Sequence, residues 1–406
     1  MPRILRSRWT RTVVIFAALA LVLSPLLLGG THAATPTRPQ QVSGPGGNGS
    51  GGGHHKGKQQ NGQARPVARP AGINPKAAPR VASNTWVPLA PTNFPSGREA
   101  MAMATDATRG KIVLFGGTTG CCSSVLNDTW IWDGTNWTQV ISPGCTNACP
   151  NSPPARFGQR MAFDPSSGDV LLFGGYDGNR APLGDTWLWN GSSWLPQLTR
   201  VSPTPRGSVG LATDTRANGV VLFGGDILGD QSSPNNCYES ECTVGDTWIW
   251  TGGQWHQGIA TTMPSSRKGA TMATQANGQA VLLGGQMRGG QHEGVAGDTW
   301  LESNGTWTQQ SPFNFPYPRQ NAGFAPTNFP SQGLLLFAGK EHDYNSPVTD
   351  TWLYAGGVWT QLNPDVNPPH GRTPAMATDP TTGTPLLFMG NDTNSSQDST
   401  TWRWGQ

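Results

Sequence analysis

Asp128, Asp185, Asp246, Asp298 and Asp350 each open an Asp-Thr-Trp triplet, and an arginine stands 29 to 40 residues before each: Arg98, Arg156, Arg206, Arg267 and Arg319. A sixth arginine, Arg372, precedes the related Thr400-Thr401-Trp402. Gathered at one point, five carboxylates could ligate a hard cation or serve acid–base chemistry. Gathered arginines could hold an anionic sugar by charge-assisted hydrogen bonds. Regular recurrence argues against gathering, because groups that come once per unit are spread round a structure by its symmetry. The aspartates are therefore expected to make a turn or strand-entry hydrogen bond, and the arginines to form a structural ring. An anionic sugar at the mouth of that ring is the alternative.

The elements that carry these residues repeat as well. Six aliphatic runs end at or near a glycine pair: "KIVLFGG", "DVLLFGG", "GVVLFGG", "QAVLLGG", "GLLLFAG" and "TPLLFMG". The arginines run from 98 to 372, 274 residues over five intervals, a mean period of about 55. That period with these marks belongs to β-propellers rather than to helical solenoids. Each unit divides into four strands. A small-residue strand such as "AMAMATD" is expected near the axis. The aliphatic strand follows, apolar enough for burial on both faces. Its glycines end it where a side chain would obstruct a bend or a passing backbone. A variable loop leads to the Asp-Thr-Trp strand. A tight hairpin, with Asp133-Gly134, Asn190-Gly191 or Gly252-Gly253 at its turn, leads to a fourth strand that opens with tryptophan. Tryptophans there fill the widening gap between blades, each worth roughly 1.5 to 3 kcal/mol of buried apolar surface.

The pattern resembles kelch repeats over about residues 84 to 406. It departs from them at Ala338-Gly339, at Met389-Gly390, and at Glu302, which stands where an aromatic is usual. The resemblance implies an all-β, six-bladed propeller. Unit six stops at "TTWRWGQ" without a fourth strand, while Trp86 lies twelve residues before Arg98, the spacing of Trp194 to Arg206, Trp255 to Arg267 and Trp307 to Arg319. An N-terminal strand around Trp86 is thus expected to close the last blade, as kelch propellers often do.

Enzymes on kelch-like propellers include copper-radical oxidases, which need paired tyrosines, a tyrosine-linked cysteine and two histidines. The domain offers Tyr176, Tyr238, Tyr317, Tyr344 and Tyr354 with His256, His292, His342 and His370, and only His342 and Tyr344 stand close in sequence. No catalytic residue is carried over, and no cofactor or metal is expected. "DGTNW" (133–137) is similar to the Asp-box of sialidases but lacks its serine and spacing, and reads as the hairpin between strands three and four.

Loops on a rigid scaffold carry function more often than strands do. The binding candidates are accordingly Tyr176, Asp177, Arg180, Arg288, His292, Glu341, His342, Asp343 and Tyr344, in loops that vary from ten residues (118–127) to twenty (226–245). Two functions compete: an interaction module for a protein or glycan, and a carbohydrate-active enzyme of oxidase or epimerase type. Missing nucleophile, metal and acid–base constellations favour the first.

All six cysteines fall in insertions: Cys121, Cys122, Cys145, Cys149, Cys237 and Cys242. Exported and even in number, they read as disulfides, Cys237 with Cys242 and the other four among themselves; zinc held by those four is the alternative. Export is read from residues 1–33. Arg3, Arg6, Arg8 and Arg11 flank the apolar run 13–28, and Thr31-His32-Ala33 offers a cleavage site, an uncleaved anchor being the alternative and the only membrane contact expected. Residues 34–82 are a Gly/Pro-rich basic linker with nothing to bury, and 83–406 the propeller. Residues 1–82 hold 11 Lys/Arg and no acid, leaving 16 Lys/Arg against 24 Asp/Glu beyond them, a net of −8. The overall +3 therefore describes no surface, and an acidic body excludes a nucleic-acid partner. A secreted or extracytoplasmic monomer is expected.

Overall fold

A computed structural model describes residues 84–119, 124–142, 151–227, 242–287, 294–341, 348–369, 373–390 and 398–405. All lie in the compact unit Asn74–Gln406. The leader and linker, Cys121, Cys122, Cys145, Cys149 and Cys237, and Arg288, His292, His342, Asp343 and Tyr344 fall outside the described residues. Cys242 is buried on the short strand Cys242–Thr243.

The described residues form six four-stranded antiparallel sheets and two two-stranded ones; in five of the six the strands run in chain order from the axis outward. In blade three these are Gly210–Asp214, Gly219–Phe223, Thr247–Thr251 and Gln254–Gln257. Blade six is made of Ala375–Asp379, Thr384–Phe388 and Thr401–Trp404, with Trp86–Leu89 as the outer strand. Trp86 lies opposite Trp404 in that pairing. It matches Trp132 opposite Trp137, Trp189 opposite Trp194 and Trp250 opposite Trp255 in blades one to three. Ring centroids in the four pairs are 5.2 to 5.4 Å apart.

The core is six seams rather than one centre. In blade two, Leu171 and Phe173 pack with Val220, Leu222 and Trp250 of blade three, whereas Val170 and Leu172 pack with Val113 and Phe115 of blade one. Alternate residues of one aliphatic strand thus feed two seams, which is why the run is apolar without a break. Trp255, Trp194 and Trp86 sit at the outer ends of their seams. The indole of each fourth strand also donates to the threonine of the preceding blade's triplet. Trp194 Nε1 reaches Thr129 Oγ1 at 3.0 Å, and Trp137 Nε1 reaches Thr401 Oγ1 at 3.1 Å.

Two expectations need correction. The axis is not lined by small residues alone: Met103, Met161, Leu211, Met272, Phe324 and Met376 form a waist between two cavities in the channel. The alanines between them, such as Ala104, Ala162 and Ala212, line the lower cavity beside these larger side chains. Nor do the glycines always end the second strand, because in blade one it runs through them as Lys111–Thr118, with a register shift between Phe115 and Gly117.

The reason for the glycines holds. Gly116 and Gly117 have φ of +63° and +96°, and a Cβ on either would lie 2.8 Å from a carbonyl oxygen, that of Arg156 or Glu99. Blade five puts Ala338 in the first of these places with φ +61°. Left-handed backbone costs a residue with a Cβ about 1 to 2 kcal/mol, more than the entropy glycine forfeits. Ala338→Gly is expected to stabilise the domain by about 0.5 to 1 kcal/mol. An unchanged or lower urea midpoint would show that Ala338 is unstrained.

Candidate functional site

The arginine–aspartate array is a set of five ion pairs in which every arginine is buried, while of the aspartates only Asp128 is buried and the other four are partly exposed. Arg98 donates from Nη1 to Asp128 Oδ1 at 2.5 Å and from Nη2 to Oδ2 at 2.8 Å. Arg156 meets Asp185 in the same forked way, as do Arg206 with Asp246, Arg267 with Asp298 and Arg319 with Asp350. Each Nη1 also donates to the carbonyl of the first residue of the glycine pair, such as Gly116 at 3.1 Å or Gly174 at 3.0 Å. Each aspartate Oδ2 accepts the indole N–H of its own triplet, as from Trp187 to Asp185 at 2.6 Å. Burial pushes the pKa of Asp185, Asp246 and Asp298 up, but the paired guanidinium and the indole bond outweigh it and hold them below the usual range. In blade six, Thr400 Oγ1 accepts from Trp402 Nε1 at 3.0 Å, and Arg372 falls outside the described residues.

This answers the first chemical question. The aspartates do more than cap a strand: they are the anionic half of a clamp joining the inter-blade link, the glycine turn and the third strand. Arginine and aspartate saturate one another, so these five arginines offer no anion site. Among the described residues, no three His, Cys, Asp or Glu side chains are placed to hold a metal ion.

What remains for a ligand is the mouth just above the clamps. In five blades the residue after the arginine and the residue after the glycine pair exchange two backbone hydrogen bonds. The pairs are Glu99 with Thr118, Phe157 with Tyr176, Gly207 with Asp226, Lys268 with Gln286, and Gln320 with Lys340. Their N···O distances run from 2.7 to 3.2 Å, so the backbone is one design. The side chains differ over most of the rim: acid and hydroxyl in blade one, two aromatics in blade two, glycine and acid in blade three, and a base with an amide, in exchanged places, in blades four and five. Tyr176 Oη and Lys268 Nζ both bond Asp226, the latter at 3.0 Å, tying the rims of blades two, three and four.

Inside the rim runs a second set of links. Gly158 N donates to Ala100 O, Ser208 N to Gly158 O, Gly269 N to Ser208 O and Asn321 N to Gly269 O, at 2.7 to 2.9 Å. All five residues have positive φ. Below them lies a cavity of about 260 Å³ floored by the waist.

Of the sequence-derived candidates, Tyr176 is on the rim and lines this cavity. Asp177 instead shapes its own turn, accepting from Asn179 N and Ala181 N at 2.8 Å, and Arg180 is exposed on that turn. Glu341 follows the rim residue Lys340 and is half-buried. Phe157, Lys268 and Gln320, each of which follows one of the recurring arginines, join Tyr176 on the rim.

Comparison with known proteins agrees with this architecture. No family model matches the chain. An F-box/kelch-repeat protein of Arabidopsis thaliana is 30% identical over 213 residues, which cover 47% of this chain and 39% of that protein. The chain therefore spans well under half the length of this relative.

Proposed function

We propose that the chain, a six-bladed β-propeller with kelch-like repeats, is an exported interaction module, holding a protein or glycan of the cell envelope or its surroundings on the rim of the channel mouth. Kelch propellers generally act as protein-interaction modules. The observation that carries the reading is the rim itself. Packing keeps the strands, clamps and glycine turns alike from blade to blade. Where backbone stays constant while charge, size and aromaticity change across blades one to four, packing is not what chooses the side chains. A rigid frame presenting unlike residues is what recognition needs. Export rests on the basic and apolar segments of residues 1–33.

The test is a variant carrying Glu99→Ala, Phe157→Ala and Gln320→Ala, compared with the parent and with Ala107→Ser, an exposed change in the turn at the opposite end of the first strand. Retention would be measured on glycan arrays and by cross-linking to envelope proteins. The rim variant should lose the ligands that both other proteins retain, at an unchanged melting temperature. Retention alike in all three would remove the rim from the site.

A further inference from the structure

One first-strand position faces the residue just before the glycine pair or its counterpart in every blade, and the six units fill it with Ala102, Arg160, Gly210, Thr271, Gly323 and Ala375. Five are small or short and one is arginine. Arg160 lines the upper cavity, and its guanidinium crosses it: Nη2 donates to Asn321 Oδ1 at 3.0 Å, and Nη1 to the Gln159 carbonyl at 3.3 Å. Asn321 belongs to blade five, three blades from blade two round a ring of six, so this bond spans the mouth. Unlike the five clamp arginines, Arg160 has no carboxylate within ion-pair distance among the described residues. Its surroundings strip it of water enough to push its pKa down to about 10.

We propose that Arg160 makes the upper cavity a binding site for a small hydroxylated organic carboxylate. Two of the guanidinium's five N–H groups are committed, leaving a planar fork for a carboxylate. The charged groups lining the cavity are Arg160, Lys340 and Glu99, a net of one positive charge, which suits a monoanion. Beyond residue 82 the chain carries a net of −8, which disfavours phosphates and polyanions. At about 260 Å³ the space falls just short of drug-sized pockets. The Ser208 hydroxyl lines it and donates to no protein group among the described residues, so it can meet a ligand hydroxyl. The apolar waist lies under the carbon skeleton. This site goes beyond the rim reading and does not depend on it.

The test uses the full chain, titrated calorimetrically with gluconate, glucuronate and lactate, with glucose and glycerol as neutral counterparts and inorganic phosphate as the competing anion. Arg160→Ala places blade one's residue at this position and so should fold; Arg160→Thr, blade four's residue, is the second variant should it not. The parent should bind at least one of the three carboxylates saturably at a single site, and the variant at least about tenfold more weakly, the worth of a lost charged hydrogen bond. Equal affinity in parent and variant overturns the proposal, as does glucose or phosphate binding as tightly as the acids. No saturable binding of any carboxylate at millimolar concentration overturns it too. Envelope ligands still held by the rim in that case would leave the interaction reading standing while this one falls.

Discussion

Removal of residues 34–92 should open the ring, whereas removal of 34–82 should leave the melting temperature where it was. The shorter deletion takes a segment with nothing to bury; the longer one takes Trp86–Leu89 and bares an edge on blade six. Trp86 is 1% exposed, donates from Nε1 to Thr351 Oγ1 at 3.1 Å, and packs 5.2 Å from both Phe337 and Trp404. Its loss therefore leaves a cavity between blades five and six and an orphaned threonine. Trp86→Ala alone should cost roughly 3 to 5 kcal/mol, comparable with Trp194→Ala inside an unbroken repeat. Calorimetry of the two truncations decides the matter: equal melting temperatures would mean that Trp86 does not hold the ring shut.

Raising the pH from 5 to 9 should weaken the fold through one residue, Glu302. In blades one and three the corresponding indole donates to an aspartate of the preceding blade, Trp132 to Asp379 and Trp250 to Asp164, each at 3.0 Å. Blade four has Glu302 in that register, opposite Trp307, and it meets Asp214 of blade three. A carboxyl can replace an indole donor only by keeping its proton. Glu302 Oε1 accepts from Gly305 N at 2.5 Å, while Oε2 and Asp214 Oδ2 are buried and have no other partner among the described residues. Burial, and then the neighbouring Asp214, push the Glu302 pKa from 4.5 up to about 8. The folded value is the higher one, so this contribution is complete below about pH 4.5 and is lost as the pH rises through about 8. At most about 1.4 kcal/mol goes per pH unit in that window. Glu302→Gln keeps a donor without a titration and should flatten the profile. Glu302→Trp should do the same by restoring the indole–aspartate bond. Denaturation midpoints against pH would test this, and parallel profiles for parent and Glu302→Gln would sink it.

The propeller was legible because its marks are local. An aliphatic run, a glycine pair and a tryptophan triplet can each be read within ten residues, and twelve-residue spacing was enough to place Trp86. The clamps were not, because Arg206 and Asp246 lie 40 residues apart and become partners only when the blade folds. Each half looked like an array of its own. Glu302 showed only as a departure, since its meaning depends on Asp214 across a seam. The rim left no motif at all: its constancy is in the backbone and its content in differences. Arg160 was hidden similarly, visible only once strand register had aligned the six first strands to the residue.

The inner links give the mouth a mechanical character. From Ala100 to Asn321 the carbonyls and amides form an arc joining blades one to five, and Ala100 N then takes Thr373 Oγ1 of blade six at 3.1 Å. Among the described residues no such bond joins blades five and six. The mouth is thus a split collar, stiff round most of its circumference and sprung at one joint. A ligand wider than the aperture would pry that joint apart, beside the seam Trp86 fills, while side chains elsewhere on the collar could be exchanged one at a time without altering the gauge of the opening.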